Sequence, residues 1–177
     1  MPGILFAGFG GQGILFAGKA VAHTGMLDHI EVSWLPSYGP EMRGGTANCS
    51  VCLQKEPIGS PLVSHPDWFV VMNQPSYHKF IDNVQQGGLV IYDSTLVEEV
   101  KECKGISQMG IPASAMAQQE NLTGLANIIT VGYLLQKTKF TSYETMQQAL
   151  KETIPPRKSH LLQANDAALK LGYQYCE

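Results

Sequence analysis

The sequence predicts an α/β fold: an open, mostly parallel sheet with helices on both faces and a helical C-terminal part. Between Gly3 and Met109, short apolar or alternating runs of strand length are separated by glycine turns and helical stretches. From Asn121 onward the apolar spacing changes to the 3.6-residue period of helices. The length of 177 residues is typical of one domain, so we assign residues 1–177 to a single domain.

The first elements are a strand, a glycine turn and a helix. Gly3–Phe9 is a short apolar run, as expected for a buried strand, and the turn at Gly10–Gly13 leads into a helix that we expect to end at Gly25. Alternating residues predict a second strand at Ile30–Leu35 and a third at Thr46–Leu53. This order is the opening of a βαβ unit followed by a further strand.

The remaining elements follow the same two periodicities. Further strands are predicted at Trp68–Met72, at Leu89–Asp93 and near Gly105–Met109. Helices are predicted at Tyr77–Val84, at Pro112–Gln119, after Asn121, from a capping box of Thr141 and Glu144 to Ile154, and finally to Gly172. The helix after Asn121 is apolar nearly all round, so we expect it to be buried.

The charge composition argues against nucleic acid as a partner and for a partly covered surface. Twelve basic and fifteen acidic residues give a net charge of −3, with no basic cluster to neutralise phosphates. Charged residues make up 15%, against about 25% in typical globular domains, so we expect a subunit of a larger assembly. We find no apolar run long enough for a bilayer, no leader-like segment and no disulfide scaffold, and we expect a cytoplasmic protein that does not contact membranes.

The segment Gly8–Gly13 fits the Gly-x-Gly-x-x-Gly pattern between a strand and a helix. Such a turn lets a phosphate approach the backbone N–H groups at the helix N-terminus. A dinucleotide site also needs an acid at the tip of the second strand, but Glu31 lies within that strand, and Ile14-Leu15 exclude a Walker loop. An anion site and a purely structural turn are equally open, and a NAD site is less favoured.

The segment Tyr38–Gly45 has the unusual sequence Tyr-Gly-Pro-Glu-Met-Arg-Gly-Gly. Its glycines and proline define the shape of a loop, and Glu41 and Arg43 offer opposite charges to a partner backbone or a ligand. The alternative is a surface turn with a solvated ion pair worth less than about 1 kcal/mol. Because the segment follows a strand at the expected carboxyl edge of the sheet, we favour a functional role.

The sequence contains no self-evident catalytic or metal site. Cys49 and Cys52 have the Cys-x-x-Cys spacing, but a strand places their side chains on opposite faces. The five histidines form no His-x-x-x-His pair, and no Gly-x-Ser-x-Gly motif is present. Asp93, after the strand at Leu89–Tyr92, is either at the edge of a site or a turn cap. We therefore assign no catalytic residue and no metal ligand.

Together, the segments Gly8–Gly13 and Pro36–Ala47 resemble the gamma subunit of the 2-oxoacid:ferredoxin oxidoreductases. The resemblance implies a complex that oxidatively decarboxylates 2-oxoglutarate, pyruvate or another 2-oxoacid to an acyl-CoA and passes electrons to ferredoxin. It implies alpha, beta and, where present, delta subunits as partners. Thiamine diphosphate, Mg²⁺, iron–sulfur clusters and coenzyme A are then cofactors of the complex, and this chain alone holds none of them and is inactive in isolation.

The resemblance also implies where this chain meets its cofactor or its partners. The matching positions, assigned to coenzyme A binding or to the subunit interface, are Gly10, Gly11, Gln12, Gly13, Tyr38, Glu41, Met42, Arg43, Gly44 and Gly45. The alternative function is a free-standing nucleotide- or flavin-binding α/β module whose glycine turn holds a pyrophosphate.

Overall fold

The centre of the molecule is a strand that is apolar along its whole length. A computed structural model describes residues 2–37 and 46–176. Its strands are β1 (Gly3–Phe9), β2 (Glu31–Ser37), β3 (Thr46–Gln54), β4 (Trp68–Val71), β5 (Leu89–Asp93) and β6 (Ser107–Ile111). Its α-helices are α1 (Ile14–Leu27), α2 (Gln74–Phe80), α3 (Ala113–Gln119), α4 (Ala126–Thr138), α5 (Tyr143–Thr153) and α6 (Leu162–Tyr173). Two 3₁₀ segments lie at Ile81–Asn83 and Pro156–Leu161.

The described strands form one sheet in the order β2-β3-β1-β4-β5-β6. The pairs β1·β4, β4·β5 and β5·β6 are parallel, whereas β3 is antiparallel to both of its neighbours. The central strand β1 is covered on both faces, which explains its nearly continuous apolar sequence. The predicted open, mostly parallel sheet is therefore confirmed, with β3 as its one antiparallel member among the described residues.

Helices cover both faces of the sheet, as predicted, but unequally. Alternate residues of β1 divide between two cores, with Ile4 and Phe6 on one face and Leu5 and Ala7 on the other. The first core also contains residues of α1, α3, α4, α5 and α6, whereas the second is closed by α2 with Tyr77. The helical C-terminal part thus lies on the same face as α1.

Helices α4 and α6 cross with their backbones in contact, because each has a glycine at the crossing. A Cβ atom at Gly172 would overlap the carbonyl oxygen of Ile129, and one at Gly132 would overlap that of Leu169. The sequence predicted that Gly172 ends the last helix. In the structure α6 continues to Tyr173, and this glycine is required for helix packing rather than for termination.

The predicted end of α1 and the predicted start of α5 also differ from the structure. Helix α1 passes Gly25 and ends at Leu27, because Gly25 provides space for the side chain of Val32. Helix α5 is capped by Ser142, whose hydroxyl accepts from the Thr145 amide at 2.9 Å. Thr141, the predicted cap, instead donates to Oδ2 of Asp28 at 2.6 Å.

Helix α2 begins earlier than predicted, at Gln74. Asn73 caps it by accepting a hydrogen bond from the Ser76 amide at 2.8 Å. None of the helices in the described ranges is both long and apolar enough to cross a membrane.

Candidate functional site

The glycine turn lies at the topological switch point of the sheet. Strands β1 and β4 are parallel neighbours, and the helices that follow them, α1 and α2, pack on opposite faces. A crevice forms at such a point beyond the carboxyl ends of the two strands, and open α/β sheets bind ligands there. The Gly10–Gly13 turn follows β1 at this edge, and Asn73 follows β4.

The glycines of the motif have different structural roles. Gly11 and Gly13 have φ angles of 98° and 73°, the region that favours glycine. A Cβ atom at Gly13 would lie 2.5 Å from Nδ2 of Asn127, and one at Gly8 would lie 2.7 Å from Oε1 of Gln12. A Cβ atom at Gly11 would have no neighbour within 4 Å. The backbone at Gly11 is therefore accessible to a ligand.

The side chain of Gln12 is bonded to the protein itself. Its Oε1 accepts from the backbone amide of Phe9 at 2.6 Å, and its Nε2 donates to the backbone carbonyl of Met72 at 2.8 Å. The sequence placed Gln12 among the cofactor or interface residues. That assignment remains a prediction, and in the structure the carboxamide is engaged by the ends of β1 and β4.

Two buried asparagines lie near the turn and were not identified from the sequence as residues of this region. Nδ2 of Asn127 donates to the carbonyl of Gly13 at 2.9 Å, which holds the start of α1 against α4. Asn73 caps α2 beside Met72. Both are at most 3% exposed, and Oδ1 of Asn127 and Nδ2 of Asn73 have no hydrogen-bond partner within the described residues. The signal that could have revealed Asn127 is a carboxamide at the start of a mostly apolar helical stretch.

A cavity of about 300 Å³ lies beside the turn at the carboxyl edge. Its lining includes Gly11, Gln12, Met72, Ser114, Gln118 and Gly124. A second cavity, of about 430 Å³, lies between α5 and α6 and is lined by Gln147, Ile154 and Asp166. We place the candidate site at the first cavity although it is smaller, because it is the one at the switch point.

Asp93 acts as a structural cap rather than as a free acid. Its Oδ1 accepts from the Thr95 amide at 3.0 Å, and its Oδ2 accepts from the amide and hydroxyl of Ser114 at 3.1 and 2.5 Å. The carboxylate thereby satisfies donors at the start of α3 and in the turn after β5. Of the two roles left open by the sequence, the structure favours the cap.

The two cysteines of the Cys-x-x-Cys segment point to opposite faces, as predicted. Cys49 is buried against α1, where its thiol contacts Gly18, whereas the thiol of Cys52 faces the carbonyl of Ser60 at 3.8 Å. Burial raises the pKa of the Cys49 thiol to about 12. In residues 2–37 and 46–176, no group of three or more His, Cys, Asp or Glu side chains could hold a metal ion.

Cys49 is expected to be the last cysteine to react with iodoacetamide in the native protein at pH 8. Its raised pKa leaves little thiolate at this pH, and burial blocks access, whereas Cys176 is exposed. The measurement is the time course of alkylation at each cysteine by peptide mass spectrometry. Labelling of Cys49 as rapid as that of Cys176 without denaturant would contradict the burial of Cys49.

Six predicted site residues, Tyr38, Glu41, Met42, Arg43, Gly44 and Gly45, lie outside the described residues and remain predictions. The structure describes the two strands that flank them. β2 ends at Ser37, which pairs with Asn48, and β3 begins at Thr46, which pairs with Phe9 at the end of β1. Both chain ends of this segment are therefore on the carboxyl side of β1, the side of the glycine turn.

The strand order disfavours a dinucleotide site. In the dinucleotide-binding fold the second strand lies beside the first, but here β3 separates β2 from β1. Glu31, the nearest acid in the second strand, pairs with Gln54 at the end of the sheet opposite the glycine turn. No acid of β2 therefore reaches the crevice to bind ribose hydroxyls.

The fold and site together define a class: an α/β domain with one antiparallel strand inserted beside β1 and a glycine turn at the switch point. Residues 3–175 match the family described as pyruvate ferredoxin/flavodoxin oxidoreductase, and the chain belongs to this family. The family resemblance of the two sequence motifs is thereby confirmed.

Curated relatives include both a long and a short chain. Ketoisovalerate oxidoreductase subunit VorA of Methanothermobacter thermautotrophicus is 35% identical over 173 residues, which cover 97% of this chain but 36% of the relative. 2-Oxoglutarate synthase subunit KorC of Methanocaldococcus jannaschii is 35% identical over 174 residues, which cover 97% of this chain and 91% of the relative. The chain thus spans about a third of the first relative and nearly all of the second.

Solved structures share the fold. The gamma subunit of a keto/oxoacid ferredoxin oxidoreductase from Geobacter sulfurreducens PCA has a TM-score of 0.84 at 23% identity, covering 98% of this chain and 97% of that one. The 2-oxoglutarate:ferredoxin oxidoreductase from Magnetococcus marinus, solved with 2-oxoglutarate, coenzyme A and succinyl-CoA bound, has a TM-score of 0.85 at 23% identity, covering 97% of this chain and 30% of that one.

Proposed function

We propose that this chain is the gamma subunit of a 2-oxoacid:ferredoxin oxidoreductase complex and forms one wall of its coenzyme A site. The complex converts a 2-oxoacid and coenzyme A into an acyl-CoA and carbon dioxide, and two electrons pass to ferredoxin. Family membership and a 2-oxoglutarate synthase subunit of similar length support the assignment. Residues 1–177 then act as a single gamma domain that has no activity in isolation.

The reacting centres belong to the partner subunits in this proposal. Thiamine diphosphate with Mg²⁺ supplies the decarboxylation chemistry, and the iron–sulfur clusters carry the electrons. The partners are the alpha and beta subunits and, where present, a delta subunit, and ferredoxin docks on the complex. The four cysteines of this chain fit the reducing conditions of the cytoplasm, where we place the complex.

The observation behind the coenzyme A assignment is the accessible backbone at Gly11 beside the cavity at the switch point. Coenzyme A carries several phosphate charges. The N-terminus of α1 has no side-chain cap and no acidic residue in its first turn, and the first N–H groups of a helix carry a partial positive charge. Because Gly11 has no side chain, a phosphate can approach this part of the backbone closely. The segment Tyr38–Gly45, which connects β2 to β3, is proposed to contribute to coenzyme A binding or to the subunit interface.

Assembly is tested by affinity purification of the tagged chain from its native host. We expect alpha and beta subunits to co-purify, and the eluate to reduce ferredoxin only when both a 2-oxoacid and coenzyme A are present. Elution of the chain alone, together with tight binding of NAD, NADP, FAD or FMN in calorimetry, would instead support the nucleotide-binding module.

The coenzyme A wall is tested by a matched pair of variants in the purified complex, Gly11→Asp and Gly11→Asn. The two side chains have the same size and tolerate positive φ similarly, so only the charge differs. We expect the KM for coenzyme A to be about tenfold higher in Gly11→Asp than in Gly11→Asn, because a carboxylate repels the phosphates, and we expect added salt to reduce the difference. Equal KM values in the two variants would contradict the assignment.

A further inference from the structure

We propose that Gln12 is a positioning residue: its carboxamide, bonded at both ends within the protein, holds the accessible backbone of the glycine turn in the geometry that binds coenzyme A. This inference rests on the proposed function, since it assigns a role within the coenzyme A wall. It differs from the sequence-based assignment, in which Gln12 itself belongs to coenzyme A binding or to the subunit interface.

Both ends of the Gln12 carboxamide are bonded to the protein backbone. Oε1 accepts from the Phe9 amide at 2.6 Å, which closes the turn on itself, and Nε2 donates to the Met72 carbonyl at 2.8 Å, which fastens the turn to the end of β4. One side chain thus joins the two strand ends that border the switch point. The space for it is provided by Gly8, where a Cβ atom would lie 2.7 Å from Oε1.

The middle of the glycine turn has few other restraints within the described residues. Asn127 holds the carbonyl of Gly13 from the side of α4, and the backbone amide of Gln12 donates to the Phe9 carbonyl at 3.2 Å. Gly10 and Gly11 are exposed, and glycine loses more backbone freedom on ordering than any other residue. A turn released by loss of the Gln12 side chain would have to be ordered again when the ligand binds, which weakens binding.

The exposure of one of its bonds distinguishes a positioning role of Gln12 from a purely structural one. Phe9 is 39% exposed, and the Gln12 bond to its amide lies at the surface, so water can replace the side chain there. Loss of this surface hydrogen bond is therefore expected to affect the stability of the fold less than the conformation of the turn. The consequence appears in ligand affinity rather than in unfolding.

The test compares Gln12→Met with Gln85→Met in the assembled complex. Methionine has a similar length and shape but no strong donor or acceptor. Gln85 is the matched control because its Nε2 also donates to a backbone carbonyl, that of His65 at 3.1 Å, but near the amino end of β5. For Gln12→Met we expect a five- to tenfold higher KM for coenzyme A, with kcat within about twofold and the KM for the 2-oxoacid unchanged. Gln85→Met is expected to leave all three constants unchanged.

A second variant, Gln12→Asn, keeps the carboxamide but is one methylene shorter and cannot bridge both groups. We expect it to raise the KM for coenzyme A as Gln12→Met does. A lower melting temperature of the complex at an unchanged KM in both variants would overturn the positioning role, as would a wild-type KM in Gln12→Asn. If either variant fails to assemble, the other supplies the KM that decides the question; if both fail, Gln12 is structural and the inference is wrong.

The same measurements distinguish failure of this inference from failure of the proposed function. If Gly11→Asp and Gly11→Asn differ in their KM for coenzyme A but Gln12→Met resembles the wild type, the glycine turn belongs to the coenzyme A site and the positioning role of Gln12 is wrong. If the two Gly11 variants have the same KM for coenzyme A, the assignment of the glycine turn to the coenzyme A site is itself wrong.

Discussion

Replacement of Gly172 by alanine is expected to lower the free energy of unfolding by about 3 kcal/mol or more. The added Cβ would overlap the Ile129 carbonyl oxygen on α4, which is backbone and cannot move away as a flexible side chain can. Helices α4 and α6 would have to separate, and the apolar side chains on both sides of the crossing would lose contact. The measurement is chemical denaturation of the purified chain followed by circular dichroism.

The control for this prediction is Gly59→Ala. A Cβ atom at Gly59 would have no neighbour within 4 Å, so this variant is expected to change the free energy of unfolding by less than about 0.5 kcal/mol. Gly132→Ala introduces a similar clash at the same crossing, with the Leu169 carbonyl, and should resemble Gly172→Ala. If Gly172→Ala were as stable as Gly59→Ala, the close crossing of α4 and α6 would be wrong.

Replacement of Asp93 by alanine is the second change with a large expected effect, a loss of about 3 kcal/mol in the free energy of unfolding. The carboxylate is fully buried and accepts from the amides of Thr95 and Ser114 and from the Ser114 hydroxyl. Its removal leaves these donors without their acceptor and opens a cavity. Thermal unfolding of the purified chain measures the effect.

Two further variants show whether this loss reflects the cap. Asp93→Asn keeps one carbonyl oxygen but places an amide against a donor, and should be less stable than the wild type and more stable than Asp93→Ala. Asp82→Ala removes an exposed partner of Lys101 and should change stability little. A fully stable Asp93→Asn with lost activity in the complex would instead mark Asp93 as a reacting acid.

Much of the fold could be predicted from the sequence because strand and helix periodicity are local properties. The runs at Gly3–Phe9 and Leu89–Asp93 matched the observed strands, and the all-apolar stretch after Asn121 formed the buried helix α4. The glycine turn could also be located, since a strand, a Gly-x-Gly-x-x-Gly segment and a helix follow one another within a short stretch. Helix ends were less predictable: packing by Val32 and capping by Ser142 outweighed the local signals at Gly25 and Thr141.

The glycine turn could be located from the sequence, but the contacts of its residues could not. Gln12 was identified as a site residue by motif, yet its partners are the amide of Phe9 and the carbonyl of Met72, and the second is 60 positions away. Asn127, 114 positions from Gly13, gave no signal in the motif at all. Contacts of this range depend on how helices and strands pack, which the local spacing of residues does not reveal.

The sequence by itself determined the order of the strands and helices, the glycine turn and the family, because these depend on residues close together along the chain. Only the tertiary structure decided that β3 lies between β1 and β2, that Gln12 joins two strand ends, and that Gly172 permits a helix crossing. The physical reason is that close packing brings distant residues into contact, and whether a glycine ends a helix or admits a second backbone depends on that contact.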